Sequence, residues 1–239
     1  MGGRNIKVLP INFPVIVRAV SANGVNAPVV WGDKQQLILS GSSLVGEKTL
    51  VKIGDVKITP DNQLIDPLEI RIPLNNETLL AGKQEVQVIH KVWIAERPAQ
   101  ENGLGWRAGS VSNKIKVKLR PTINGDIQVK NVAKVNNNGT LSADLQVTVS
   151  PKISKDQEVR LFLNEIAEDQ PESYTFTRSS EKEDTNTAKF KVNNVKPGEY
   201  LVRVMVDKAE SVLIASDNTG VYSAPKVIIP EAVTKKTGK

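Results

Sequence analysis

LAGKQEVQVIHKVWIAERPAQENGLGWRAGSVSNKIKVKLRP, running from Leu80 to Pro121, reads as a strand, a long loop and a closing strand. Val86, Val88, His90, Val92 and Ile94 share one face of the first strand by its two-residue period, and Glu85, Gln87 and Lys91 share the other. Ile89 and Trp93 fall on that second, mainly polar face, an unusual place for large apolar groups. In the closing strand Ile115, Val117 and Leu119 alternate with Lys114, Lys116, Lys118 and Arg120. Pro121 then ends the element, because proline cannot donate to a ladder.

The same pattern returns one domain later. Ala81-Gly82 before Val86-Gln87-Val88 is echoed by Pro197-Gly198 before Tyr200-Leu201-Val202-Arg203-Val204. Ser112-Asn113 leading into IKVKLRP is echoed by Ser223-Ala224-Pro225 leading into KVIIP, so Pro121 and Pro230 close matching strands. PVIVRAVSANG and IQVKNVAKVNNNG both run from a strand into an Asn-Gly turn signal. This is one module used twice.

Turn residues recur at a spacing typical of all-β sandwiches, and helix signals are thin. Strands are expected near 13–20, 35–40, 49–58, 68–73, 84–94 and 113–120. In the second module they are expected near 126–134, 140–149, 157–164, 173–178, 187–193, 199–207 and 221–229. The fold class that follows is all-β, with two tandem immunoglobulin-like β-sandwich domains. The first, 10–121, carries Gly32-Asp33, the run from Leu37 to Gly41 and VKIGDVKI, which resemble the immunoglobulin-like domains of transcription factors and plexins. The second is 122–230, reached through a short linker at Arg120–Asp126, and 231–239 is a disordered tail. Pro197-Gly198-Glu199-Tyr200 resembles a tyrosine corner, in which a phenol is bonded to nearby backbone.

The 239 residues contain no cysteine, which removes disulfide and thiolate chemistry, and no apolar run approaches a membrane helix. No signal-peptide core follows Met1-Gly2-Gly3-Arg4, and a cytoplasmic protein is expected. The net charge of +6 is uneven: residues 1–121 hold 16 Lys and Arg against 10 Asp and Glu, while the remainder holds 16 of each. An acidic protein partner fits that excess better than nucleic acid, because stacking aromatics are not interleaved with the basic row. A lysine row also protects an edge strand from aggregation, which is its simplest reading.

Catalytic signatures are missing. His90 is the only histidine and lies on the apolar face of its strand, as a hydrogen-bonded core histidine does. No zinc spacing, phosphate loop or nucleophile motif is present, so no enzyme, cofactor or metal is expected. Glu165, Glu168, Asp169 and Glu172, and then Glu181, Glu183 and Asp184, crowd carboxylates together, without the register of a calcium loop. Contact candidates are therefore Lys114, Lys116, Lys118, Arg120, Ile89, Trp93 and Trp106. Trp106 folding back onto Trp93 and an intermolecular contact compete as explanations of the exposed rings. Trp31, beside Gly32-Asp33, reads as a plug at the end of a sandwich.

LAGKQEVQVIH, Pro98, the glycine-rich loop, Ser112-Asn113 and KVKLRPTI resemble the carboxy-terminal part of the tail-terminator or cap proteins of contractile injection systems. The resemblance reaches back to Pro14 and weakens after Ile123. It implies a structural cap, a hexameric homo-oligomer contacting sheath or tube proteins of a phage-tail-like particle, without nucleic acid or membrane insertion. Members of that family commonly begin with an α/β domain, of which this sequence shows no trace. The rival class is a surface-exposed immunoglobulin-like adhesion or carbohydrate-binding module.

Overall fold

The computed structural model describes residues 13–94, 105–135, 139–167 and 169–231. They are strands and turns, with one 3-10 turn at Asn62–Leu64 and no α-helix. Pro98 with its loop, Glu168, part of the second Asn-Gly turn and most of the tail lie outside the described residues.

In the first repeat β1 (Val15–Ser21), β2 (Gln36–Ser42) and β5 (Glu69–Pro73) form one antiparallel sheet in the order β1-β2-β5. The second sheet is ordered β4 (Val56–Ile58), β3 (Lys48–Ile53), β6 (Gly82–Ile94), β7 (Gly105–Val111), and β8 (Ile115–Leu119) also pairs with β6. A single strand was expected at 49–58. Instead the chain turns at Gly54, in the left-handed region with φ 57°, and β3 and β4 pair as a hairpin. Inward positions alternate as the period predicts, with Leu37 and Leu39 on β2, Val51 and Ile53 on β3, and Val86 and Val88 on β6 all buried.

The second repeat reproduces this connectivity strand for strand. β9 (Thr122–Lys134), β10 (Leu141–Ile153) and β13 (Thr185–Val195) form the three-stranded sheet, with β10 central. The other sheet is ordered β12 (Ser173–Thr177), β11 (Val159–Glu165), β14 (Gly198–Val206), β15 (Ala209–Glu210), and β18 (Lys226–Ile229) also pairs with β14. Leu145 and Val147, Leu161 and Leu163, Phe190, Val202 and Val204, and Ile229 meet in one buried core drawn from both sheets. The additions are β16 (Ile214–Ala215) and β17 (Tyr222–Ala224), a small hairpin inserted between β15 and β18. The strand expected at 221–229 is therefore two, β17 and β18, separated by Pro225.

The fold is all-β, two sandwiches of immunoglobulin-like character. Each has a closing strand split in two halves, β7 with β8 and β15 with β18, lying on the same neighbour. At each split a buried serine grips that neighbour twice. Ser112 donates its N–H to the Val88 carbonyl and its Oγ accepts from the Val88 N–H at 2.9 Å. Ser211 does the same to Val204, with Oγ accepting at 3.0 Å. Ser211, and not Ser223, is thus the counterpart of Ser112, which corrects the sequence alignment at this point.

Tyr200 forms the expected corner: its hydroxyl donates to the Lys196 carbonyl at 2.8 Å and its ring is fully buried. Burial pushes the phenol pKa well above its ordinary value.

By compactness the chain divides into one unit holding residues up to Asn26, Gln36–Ile72 and Glu85–Val117, and a second holding Ala27–Gln35, Pro73–Gln84 and everything from Lys118. Within the second unit Val29 accepts from the Arg120 N–H, and Trp31 donates its N–H to the Arg120 carbonyl. Thr122 Oγ1 donates to the Trp31 carbonyl at 2.8 Å. Leu74 exchanges backbone bonds with Gly32 and Gln35, Ala81 joins the buried core, and Gln157 Nε2 donates to the Ala81 carbonyl at 2.7 Å. The linker expected at Arg120–Asp126 is strand instead, because β9 begins at Thr122 directly after Pro121.

Candidate protein-binding surface

His90 occupies an inward position of β6 at 6% exposure. Its Nε2 lies 3.1 Å from the Leu44 carbonyl, which can only accept, so this nitrogen carries a proton. Nδ1 is 3.2 Å from Ser110 Oγ. The ring packs on Gly46, where a Cβ would stand 2.6 Å from His90 Cγ. Both nitrogens are engaged inside the unit, a core histidine as its apolar face predicts.

The expected inward row on β6 ends there. Val92 is 39% exposed, because β6 with β7 runs on as a two-stranded ribbon; Ile94 lies beyond the side chains described. On the opposite face of that ribbon Trp93 and Trp106 are direct cross-strand partners, with ring centroids 5.6 Å apart at 72°. Trp106 does fold onto Trp93, yet the residues remain 37% and 48% exposed respectively. The Trp93 N–H donates to Glu47 Oε2 at 3.2 Å, fixing the ribbon to the turn before β3. Ile89 is half-buried, opposite Leu50 on one side and Val111 on the other.

Two lysines outside the contact candidates, Lys48 and Lys91, complete this surface. Lys48 Nζ stands 5.4 Å from the Trp106 ring centroid, a cation–π distance. Lys48 and Lys91 are direct cross-strand partners on β3 and β6, and neither makes an ion pair among the described residues. Like charges directly opposed on a strand pair repel. Their meeting depends on the register between β3 and β6, which are separated by 28 residues, and no local pattern reveals it.

The basic strand β8 is divided in its roles. Ile115, Val117 and Leu119 point inward while Lys116 and Lys118 are exposed, as the alternation predicts. Lys114 is committed to Glu85 at 2.7 Å, and its hydrogen bond and charge hold that carboxyl below the usual range. Arg120 is half-buried, with its backbone bonded to Val29 and Trp31. Exposed positive charge on β8 therefore comes chiefly from Lys116 and Lys118.

The carboxylate clusters are tied into local structure. Glu165 accepts from the Glu172 N–H, and Glu172 is bound by both Lys196 and Tyr174, which lower its pKa. Glu181 pairs with Lys189 at 3.4 Å, and Asp184 Oδ1 accepts from the Lys155 N–H. Among the described residues no group of three or more acidic or histidine side chains is placed to hold a metal ion. Trp31 is half-buried and its indole N–H donates to the Asn76 carbonyl at 3.3 Å.

A search of curated proteins finds none that matches. One family model matches residues 108–234, just over half of the sequence, taking in the end of β7, the basic strand and the whole second repeat. By that match the chain belongs to the family described as Domain of unknown function (DUF8756).

Proposed function

We propose that this protein is a structural component of a phage-tail-like contractile particle, a cap or accessory that binds sheath or tube by contact and performs no chemistry of its own. The partner is named by the resemblance of the 80–123 segment to tail-terminator proteins. The observation that carries the binding role is the outer face of the β3–β6–β7 ribbon, where the half-exposed Trp93–Trp106 pair adjoins the opposed Lys48 and Lys91. Tryptophans concentrate binding energy when a partner removes their remaining exposure to water. An acidic partner also relieves the lysine repulsion, so docking gains from both terms. A ring of such subunits on the last layer of a particle would block further addition.

The test is cosedimentation of the full chain with sheath–tube particles from native cells, at low and at high salt. Binding is expected, weakening as salt rises because exposed charges contribute. Replacing Trp93 and Trp106 together by alanine is expected to weaken it at least about tenfold. Undiminished binding by that variant would remove the role given to the ribbon, and no binding by the wild type would remove the particle as partner.

A further inference from the structure

The geometry points to a saccharide-binding site in the second unit, at a cavity of about 170 Å³ lined by Trp31, Glu77, Ser150, Pro151, Lys152 and Asn186. It is independent of the particle reading and lies among residues given no role there. Its size sets the class of ligand: drug-sized molecules occupy roughly 300–1,000 Å³, so this hollow takes about one ring. Its walls are of two kinds. Trp31 and the buried Pro151 provide apolar surface, and the Trp31 ring is held in place by its own N–H bond to the Asn76 carbonyl and by backbone bonds to Arg120. With its N–H already used, the indole offers a ligand only the carbon surface of its rings, the kind of surface on which the C–H side of a pyranose packs.

The rim supplies the second requirement. Glu77, Lys152 and Asn186 are exposed, and their side chains make no hydrogen bond or ion pair among the described residues. Together they present a carboxylate that accepts, an ammonium that donates and a carboxamide that does both. A sugar hydroxyl is donor and acceptor at once, so this mixed set suits a polyhydroxylated ring. A proline-rich peptide would use the aromatic surface and leave the three polar groups idle. Ser150 contributes less, since its Oγ already accepts from Asn124 Nδ2 at 2.7 Å.

The experiment follows tryptophan fluorescence of the full chain carrying Trp93→Phe and Trp106→Phe, which leaves Trp31 as the only reporter. Glucose, maltotetraose, cellotetraose and chitotetraose are titrated to about 10 mM, the range of weak single-ring affinities. A saturable change with at least one of these is expected, weakened at least about tenfold by Lys152→Ala combined with Asn186→Ala. Both substitutions lie at exposed positions, so they test recognition without removing the half-buried indole. No saturable change with any sugar overturns the proposal, and so does a change that the double substitution leaves intact.

Discussion

The first and second repeats solve the same corner with different side chains. In the second, Tyr200 donates its hydroxyl to the carbonyl four residues back; in the first, Gln84 Nε2 donates to Leu80, also four residues back and also at 2.8 Å. The glycine two positions before each, Gly82 and Gly198, marks the shared start of the strand. Tyr200 adds a fully buried ring packed edge-on against Tyr174, with centroids 5.9 Å apart, whereas Gln84 is half-buried. The shared requirement is thus one bond to one carbonyl, and the aromatic body is an addition by the second repeat. From there the strands stay in step: Val86 and Val202, Val88 and Val204, then His90 where the second repeat has Val206, all buried.

That parallel is most sharply tested by truncating the corner residues. Tyr200→Ala should cost about 3–5 kcal/mol, as loss of a buried aromatic does, and Gln84→Ala about 1 kcal/mol, the value of one hydrogen bond. Urea unfolding measures both; similar losses would mean that the ring adds nothing to the corner. Next come the paired serines. Ser112→Ala and Ser211→Ala each strand a backbone N–H, that of Val88 or Val204, and each should cost about 1–3 kcal/mol. A large loss at one and none at the other breaks the equivalence of the two splits.

The residue that most separates the repeats is His90. His90→Val installs the residue found at the matching place in the second repeat, yet it should destabilise by about 1–3 kcal/mol, because Leu44 and Ser110 lose their partner. A neutral or stabilising result would show that the polar pair is dispensable. The smallest effect is a pH dependence. Burial raises the Tyr200 phenol pKa, so the folded protein keeps a proton that the unfolded chain releases near pH 10. Its contribution is full below that pH and is lost as pH rises above it. Unfolding curves at pH 9 and pH 11 should show the wild type losing more stability than Tyr200→Phe.

Much of this was legible locally. Alternation in β6, β8 and β14 identified buried faces, Pro121 and Pro230 marked strand ends, and Pro197-Gly198-Glu199-Tyr200 identified the corner. Three kinds of information were not local. Ser223 stands beside the last strand as Ser112 does, but the serine that makes the matching bonds, Ser211, falls before the inserted hairpin. Lys48 meets Lys91 and Trp106 only through strand register. Val29, Trp31, Leu74 and Ala81 belong with the second unit through backbone bonds and core packing, which leave no periodic trace in a sequence.

The serine grip also defines where this scaffold can be rewritten. After Ser112 the chain enters β8 within three residues, whereas after Ser211 it makes a detour through β16 and β17 before β18 returns to β14. Because the strand is pinned before the detour and re-paired after it, the length between the two points is free to vary. The tip at Asp217–Gly220, exposed and outside both sheets of the sandwich, is therefore a natural port for a grafted epitope or a reporter domain.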